Sequence, residues 1–363
     1  MNVISFIGSD KNAGKTTVFN YIYKEYRRKF TKSVLCLSSI GINGEELDSY
    51  EYDQSKPPIA VYAEDYFITR GSHLRSARGA YRILHIWGEG EESNPLILAQ
   101  SLTAKLGVVL EGPNHYQEIL AVKQFLAASL MRDGGYLLLD GSIDRQFLAG
   151  PKISDVFYYA LLLSNRPAQL RKASDLLTPL FFPLAKEERG QPPGVKSLLY
   201  RGDETIYQGT EIAFIDRQLL EQLRHLSGMG ESHGELHGAS HTYTLYLNSA
   251  LSPSLFALLG SIKNLRVILD NFTLYQNIST STSTYTATAA ITAPLPSNLY
   301  LLRPTNVAGI FWRMDPDNPI DYSSNLLLMK LLSQMKKSKK ISVHNLFRED
   351  PDEIRIGTRS DIL

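Results

Sequence analysis

Apolar residues in the first half of the chain occur in two alternating patterns. Short continuous apolar runs predict buried strands, and segments with an apolar residue at every third or fourth position predict helices. Because the two kinds of segment alternate, we expect a mainly parallel sheet covered by helices on both faces. The predicted strands are 2–7, 33–38, 59–62, 81–87, 106–111, 135–140 and 155–163, and the predicted helices are 15–29, 94–104, 114–131 and 166–181.

The pattern changes near Lys186. Residues 186–194 read Lys-Glu-Glu-Arg-Gly-Gln-Pro-Pro-Gly, a charged connection punctuated by proline and glycine. We therefore expect one domain over residues 1–185 and a smaller, mixed α/β domain over 186–363. Within the second domain the predicted elements are a hairpin at 197–209 around Gly202, helices near 216–225, 252–261 and 322–335, and strands near 242–248, 265–270, 284–291, 298–303 and 307–313.

Composition restricts the partners of the chain. Its 363 residues are 43% hydrophobic, and its 38 basic and 37 acidic side chains give a formal charge of +1. Such a balance provides no global field for nucleic acid or an anionic membrane, so we expect neither as a partner. Cys36 lies in an apolar run and is the single cysteine, which predicts a buried, reduced thiol. With no signal-peptide pattern at the N-terminus, we expect a cytoplasmic protein.

The first predicted strand runs directly into a loop that resembles the Walker A pattern G-x-x-x-x-G-K-[ST], with Ser9 in the first glycine position. A helix that begins after such a loop offers unpaired backbone N–H groups and a favourable dipole to an anion. The alternative is an ordinary corner between a strand and a helix that binds nothing. The predicted phosphate-binding residues are Gly8, Ser9, Asp10, Lys11, Asn12, Ala13, Gly14, Lys15, Thr16 and Thr17.

This motif predicts a P-loop NTPase domain with three layers, α/β/α, and an Mg²⁺-dependent ATPase activity. Lys15 would contact the β- and γ-phosphates, and the Thr16 hydroxyl would bind Mg²⁺. Lys11 adds a second, weaker candidate cation within the loop. Guanine recognition requires an Asn/Thr-Lys-x-Asp segment, and residues 164–167 read Ser-Asn-Arg-Pro instead. ATP is therefore favoured over GTP.

Two carboxylates compete for the magnesium side of this site. Glu111 and Asp140 each follow an apolar predicted strand and precede a glycine. A carboxylate at the end of a strand beside a phosphate loop orders Mg²⁺. Either carboxylate or both would serve; we slightly favour Glu111 as the metal-side residue, with Asp140 and Asp144 forming a charged lip beside it. The simpler alternative for Asp144 is a surface pair with Arg145.

Three further segments carry weaker signals. Glu45 and Asp48 follow the second predicted strand in a glycine-containing loop, where they would orient water or contact Mg²⁺ unless they are merely solvated. The arginine-rich segment 69–78 would accept an acidic substrate, a nucleotide or the carboxylates of a partner, or would simply be solvated. His233, His237 and His241 recur at every fourth residue, but their surroundings are too rich in glycine for a stable helix, which favours a loop over a metal site.

Three segments together resemble the small subunit of the lysine 5,6-aminomutase reactivase. They are residues 8–17, residues 39–45 with Asp48, and residues 139–145. The resemblance covers residues 1 to about 181. It implies an accessory, chaperone-like ATPase that exchanges damaged cofactor on an adenosylcobalamin-dependent aminomutase, in company with a larger MutS-like ATPase partner.

Two other functions remain open at the level of sequence. The phosphate loop together with Val109-Leu110-Glu111-Gly112 is similar to dethiobiotin synthetase, an ATP-dependent ligase in which the glutamate helps to hold Mg²⁺. A lysine that would bind the substrate is missing from the loop after the second strand, which weakens this alternative. The other possibility is an adaptor that binds nucleotide without hydrolysing it.

Overall fold

The computed structural model describes most of the chain, including the whole of the predicted phosphate loop. The described residues are 1–40, 59–88, 94–141, 152–186, 194–210, 217–228, 243–248, 253–262, 264–272, 274, 298–319, 333 and 341–346. Predictions for Glu45, Asp48, the Asp144–Arg145 pair, the three histidines and the strand 284–291 therefore lie outside the described residues.

Strands and helices are interspersed along the described part of the chain, but several strands follow one another without a helix between them, so the alternation is less regular than predicted. In chain order they are β1 (Asn2–Gly8), α1 (Lys15–Lys29), β2 (Val34–Ser39), β3 (Ile59–Val61), β4 (Tyr66–Arg70), α2 (Gly71–Leu74), β5 (Tyr81–Trp87), β6 (Leu96–Ser101), β7 (Leu106–Val108), α3 (Tyr116–Ala128), β8 (Gly135–Asp140), β9 (Val156–Leu163), α4 (Pro167–Leu177), β10 (Ser197–Arg201), β11 (Glu204–Gly209), α5 (Arg217–Gly228), β12 (Tyr243–Leu247), α6 (Pro253–Ser261), β13 (Leu265–Leu269), β14 (Leu299–Leu301), β15 (Val307–Met314) and β16 (Ser342–Asn345).

A nine-stranded sheet with the order β16-β15-β9-β1-β8-β2-β4-β6-β5 organises the first compact unit. The strands from β16 to β4 are parallel to their neighbours, and β6 pairs antiparallel with both β4 and β5. The α/β class with a large, mostly parallel sheet is therefore confirmed. β1 lies between β8 and β9, while β2 pairs with the far side of β8. The strand order thus reverses at β1, and open sheets bind ligands at such switch points.

The two faces of this sheet bury separate hydrophobic clusters. Along β8, Leu138 contributes to one cluster, while Leu137 and Leu139 contribute to the other. This alternation follows from the period of two in a strand. Helix α1 supplies Val18 and Ile22 to the first cluster, and α3 packs against the second through residues that include Val122. Helices therefore cover both faces, as the apolar pattern predicts.

The prediction of a helix at 94–104 was wrong, because residues 96–101 form β6. All six residues of β6 are buried. Leu96 and Leu98 contribute to one cluster, and Ile97 and Ala99 contribute to the other. A strand buried on both faces has a continuous apolar sequence, which periodicity alone does not distinguish from a buried helix. The neighbouring strand β4 was not predicted.

The second compact unit comprises Arg166–Thr305 and contains a five-stranded sheet with the order β11-β10-β12-β13-β14. Its hairpin turns at Gly202, whose φ of 56° favours glycine, as the sequence predicted. The first unit comprises Met1–Asn165 and Asn306–Leu363. The structure differs here from the predicted boundary at 185, because β15 pairs with β9 and returns the chain to the large sheet. This long-range pairing leaves no local signal in the sequence.

Candidate functional site

The predicted phosphate loop connects β1 to α1 at the carboxyl edge of the large sheet. Helix α1 begins at Lys15, where the sequence predicted it. Gly14 precedes it with a φ of 84° and Asn12 has a φ of 59°, so two residues of the loop adopt the left-handed conformation. Glycine adopts that conformation without strain, and asparagine tolerates it better than most residues. The loop therefore turns tightly onto the N-terminus of a four-turn helix.

Ser9 anchors the start of this loop to β9. Its backbone N–H donates to the carbonyl of Ala160 at 2.9 Å, and its hydroxyl oxygen accepts from the N–H of Leu162 at the same distance. The Ser9 side chain is buried. Glycine in this position would leave the Leu162 N–H without that acceptor. The departure from the Walker A pattern is thus explained by a hydrogen bond to the neighbouring strand.

Lys15 points toward the end of β8, the strand next to β1. Its Nζ contacts the carbonyl oxygen of Gly141 and lies 3.2 Å from Oδ1 of Asp140. Asp140 is fully buried, and it is aligned with Phe6 of β1 in the parallel ladder. The alternation along β8 places Asp140 on the same face as Leu138, which is the face that α1 covers. The lysine, the carboxylate and the start of α1 therefore meet at one point of the sheet edge.

The backbone after Asp140 is held against β1. The N–H of Gly141 donates to the carbonyl of Phe6 at 3.0 Å, and a methyl group added at Gly141 would lie 2.7 Å from that oxygen. The N–H of Ile40 donates to the carbonyl of Asp140 at 2.9 Å. Strands on both sides of β8 thus fix the position of the Asp140 carboxylate. A fixed carboxylate therefore lies beside Lys15 at the carboxyl edge of the sheet.

Glu111 belongs to a different cluster at the same edge. Its Oε2 lies 2.8 Å from Nε2 of His73, and its Oε1 lies 4.0 Å from Nε of Arg70. Arg70 also donates to both carboxylate oxygens of Glu118. Burial raises the pKa of Glu118, but hydrogen bonds from the Asn114 N–H and from Arg70 outweigh it and hold that pKa below its ordinary value. Glu111 therefore has a histidine and an arginine as neighbours.

The predicted strand 106–111 ends at residue 108 and does not join the large sheet. Its residues form β7, which pairs with β3 in a separate two-stranded sheet. The chain then approaches the end of β2, where the N–H of Gly112 donates to Oγ of Ser39 at 3.0 Å. A methyl group added at Gly112 would lie 1.8 Å from the Ser39 carbonyl oxygen. Only glycine permits this approach, which sets the position of Glu111.

The residues around Lys15 fit a magnesium ion bound together with phosphate. The Thr16 hydroxyl makes no hydrogen bond to any residue that the structure describes, and it follows Lys15 directly at the start of α1. Mg²⁺ usually takes one or two protein oxygens and completes its octahedron with water and phosphate. The described residues contain no group of three or more His, Cys, Asp or Glu side chains suited to a metal ion on their own. Thr16 and Asp140 supply a hydroxyl oxygen and a carboxylate oxygen, which are the kinds of ligand that Mg²⁺ takes.

Other predicted residues have less specific surroundings. Lys11 and Thr17 are exposed. Of the arginine-rich segment, Arg70 is buried and paired, whereas Arg75 and Arg78 are exposed. Cys36 is buried in β2, where burial raises the pKa of its thiol.

Two residues near the loop were missed from the sequence. A methyl group added at Gly14 would lie 2.7 Å from Cδ1 of Leu346 and 3.6 Å from Cδ of Arg313. Arg313 belongs to strand β15, and Leu346 directly follows strand β16.

Asp270, which directly follows β13 of the second unit, was also missed. It is buried and accepts a hydrogen bond from the Tyr246 hydroxyl at 2.9 Å. Like Asp140, it is a carboxylate at the end of an apolar strand.

Comparison with known proteins does not assign the chain to a family. No protein-family model, no curated protein and no solved structure matches it. In the part of the chain that the structure describes, no helix combines the length and the apolar character needed to cross a membrane. Function must therefore be inferred from the site itself.

Proposed function

We propose that the chain is a P-loop NTPase that binds Mg²⁺·ATP where β1 meets α1. The observation that carries the proposal is the position of Lys15. It is the first residue of α1, it follows a left-handed glycine, and its Nζ lies 3.2 Å from the buried carboxylate of Asp140 on the adjacent parallel strand. The reversal of strand order at β1 supports the same location.

Each part of the site would have a separate role. Backbone N–H groups of residues 9–16 would donate to the phosphates, and Lys15 would neutralise the β- and γ-phosphates. Thr16 and Asp140 would hold Mg²⁺, which when bound neutralises charge on the phosphates and orients them. Asp140 is favoured over Glu111 in this role, because Glu111 faces His73 and Arg70. The ligase alternative depends on a magnesium-side glutamate, and the His73 and Arg70 neighbours of Glu111 weaken it.

For biological role, we propose the one that the resemblance implies. The chain would act as an accessory ATPase that helps to release damaged cobalamin from an adenosylcobalamin-dependent aminomutase, together with a MutS-like ATPase partner. Ejecting a tightly held cofactor requires free energy from outside the client enzyme. Nucleotide can supply it only to the extent that its affinity differs between two conformations of the chain. Glu45 and Asp48 remain the predicted residues for orienting water.

Calorimetric titration tests the nucleotide proposal. Mg²⁺·ATP is titrated into the wild-type chain, into Lys15→Ala, and into the control Lys24→Ala, which removes an exposed lysine from the same helix. We expect wild type and the control to bind alike and Lys15→Ala to lose affinity by about 100-fold, because a charge-assisted contact to phosphate is lost. Absence of heat and of thermal protection in the wild-type chain would refute the proposal.

A second measurement tests the accessory role. ATP hydrolysis by the chain is measured alone, with lysine 5,6-aminomutase inactivated by turnover, and with a MutS-like partner added. We expect slow hydrolysis by the chain alone, stimulation by the partner, and recovery of aminomutase activity when ATP and fresh adenosylcobalamin are supplied. If ATP binds but neither hydrolysis nor aminomutase activity changes, the nucleotide proposal stands and the accessory role fails.

A further inference from the structure

Arg313 lies on the same face of the sheet as the phosphate loop. It is the penultimate residue of β15, two positions after Phe311. Phe311 belongs to the cluster under α1, and its ring centroid is 6.0 Å from that of Tyr21 in α1. Because side chains alternate along a strand, Arg313 shares the face of Phe311 and lies about 6.5 Å closer to the carboxyl edge. That displacement runs toward the N-terminus of α1.

The side chain of Arg313 lies close to the predicted phosphate loop. A methyl group on Gly14 would lie 3.6 Å from Cδ of Arg313, so the aliphatic part of the arginine passes beside the residue that precedes Lys15. Along the sheet, Arg313 is aligned with Leu162, the residue whose N–H donates to Ser9. Arg313 is half-buried. Both ends of the loop are therefore within reach of the β9–β15 side of the sheet.

Asp140 and Arg313 lie on opposite sides of β1. Asp140 ends the adjacent strand β8, whereas Arg313 is on β15, beyond β9. A triphosphate at the loop would have an acidic group for Mg²⁺ on one side and a guanidinium on the other. Such a guanidinium binds phosphate through two parallel N–H donors.

We propose that Arg313 is a second cationic ligand of the bound nucleotide, contacting its β- and γ-phosphates from the side opposite to Asp140. This role rests on the proposed function of the loop. Leu346 supports it, because its Cδ1 also covers Gly14 and its N–H donates to the Trp312 carbonyl at 2.9 Å. An apolar cover beside the arginine excludes water and strengthens its attraction for phosphate. The C-terminal strand pair would thus complete a site that begins at residue 8.

The test compares Mg²⁺·ATP, Mg²⁺·ADP and AMP as ligands of the wild-type chain, Arg313→Ala, Arg313→Lys and the control Arg132→Ala. Arg132 is exposed and lies between α3 and β8, at the opposite edge of the sheet. We expect Arg313→Ala to lose about 10- to 100-fold in affinity for ATP and less for ADP, which has one phosphate fewer. AMP affinity and the control are expected to stay unchanged. Arg313→Lys keeps the charge but loses the paired donors, so its loss should be smaller.

The outcomes separate this role from the function on which it rests. If the wild-type chain binds ATP and Arg313→Ala binds it within about twofold, the role of Arg313 is overturned and the loop retains its function. If the wild-type chain binds no nucleotide, both fail. Thermal unfolding verifies that each variant is folded. Arg313→Lys carries the comparison if Arg313→Ala is unstable, and binding equal to wild type in both ATP and ADP would then count against the role.

Discussion

Replacing Asp140 by Asn should change how ATP binding depends on magnesium. Lys15 Nζ and Asp140 Oδ1 are 3.2 Å apart. At an effective dielectric constant of about 20 this corresponds to a gross attraction of about 5 kcal/mol. Desolvation of the fully buried carboxylate offsets most of it. Asn keeps the size of the side chain and removes its charge.

The Asp140→Asn substitution should change the affinity for ATP in opposite directions without and with Mg²⁺. Without Mg²⁺, the Asp140 carboxylate competes with the phosphates for Lys15 and also repels the phosphates. The Asp140→Asn chain should therefore bind ATP more tightly, by about 1–2 kcal/mol or roughly 5- to 30-fold. With Mg²⁺ present, the variant loses a magnesium-side anion and should bind about tenfold more weakly than wild type. The enhancement of ATP affinity by Mg²⁺ should therefore fall by about two orders of magnitude.

Calorimetric titrations with ATP in excess EDTA and in excess Mg²⁺ measure this enhancement. Asp155→Asn is the matched control, because Asp155 accepts from the Val3 N–H at 2.7 Å at the opposite edge of the same sheet. It removes the same charge and should leave both affinities unchanged. An Asp140→Asn chain whose Mg²⁺ enhancement equals that of wild type would refute the reasoning, and Glu111→Gln would then be the variant to compare.

Two further predictions concern the scaffold of the site, and both use urea denaturation followed by tryptophan fluorescence, since Trp87 and Trp312 both belong to the first unit. Gly112→Ala should lower the free energy of unfolding by about 3 kcal/mol, because the new methyl group would lie 1.8 Å from a backbone oxygen. The control Gly107→Ala adds a methyl group in open space and should change the free energy of unfolding by less than about 0.5 kcal/mol. Equal effects of the two substitutions would contradict the packing argument. Burial and the neighbouring Tyr136 raise the pKa of Tyr26 to about 12, so its contribution to stability is fully present below pH 10 and is lost as the pH rises through 12. Over that range the wild-type chain should lose up to about 2.5 kcal/mol relative to Tyr26→Phe, and parallel pH profiles for the two chains would contradict the prediction.

Local signals were sufficient to predict the corner between β1 and α1. The start of α1 at Lys15 follows from the glycine before it and from the spacing of apolar residues after it, both of which act within one or two turns. The strands 81–87 and 135–140 were also predicted with the bounds observed. Short-range patterns therefore located the residues of the loop and one of its acidic neighbours.

The remaining features depend on contacts between distant segments. Glu111 and Asp140 have the same local pattern, and only the pairing of their strands separates them: β8 lies beside β1, whereas β7 lies outside the large sheet. Arg313 has no local signal, because its proximity to Gly14 results from the pairing of β15 with β9 across about 150 residues. A pattern within a short stretch of sequence does not indicate which distant strands pair or in which register.

The position of the second unit within the chain has a consequence for synthesis on the ribosome. β9 ends at Leu163, and its outer neighbour β15 begins only at Val307, after the whole second unit. While the intervening residues are being made, β9 lacks the strand that pairs with its outer edge, and such an edge is open to pairing with other chains. A nascent chain would therefore benefit from protection of that edge until its final strands emerge.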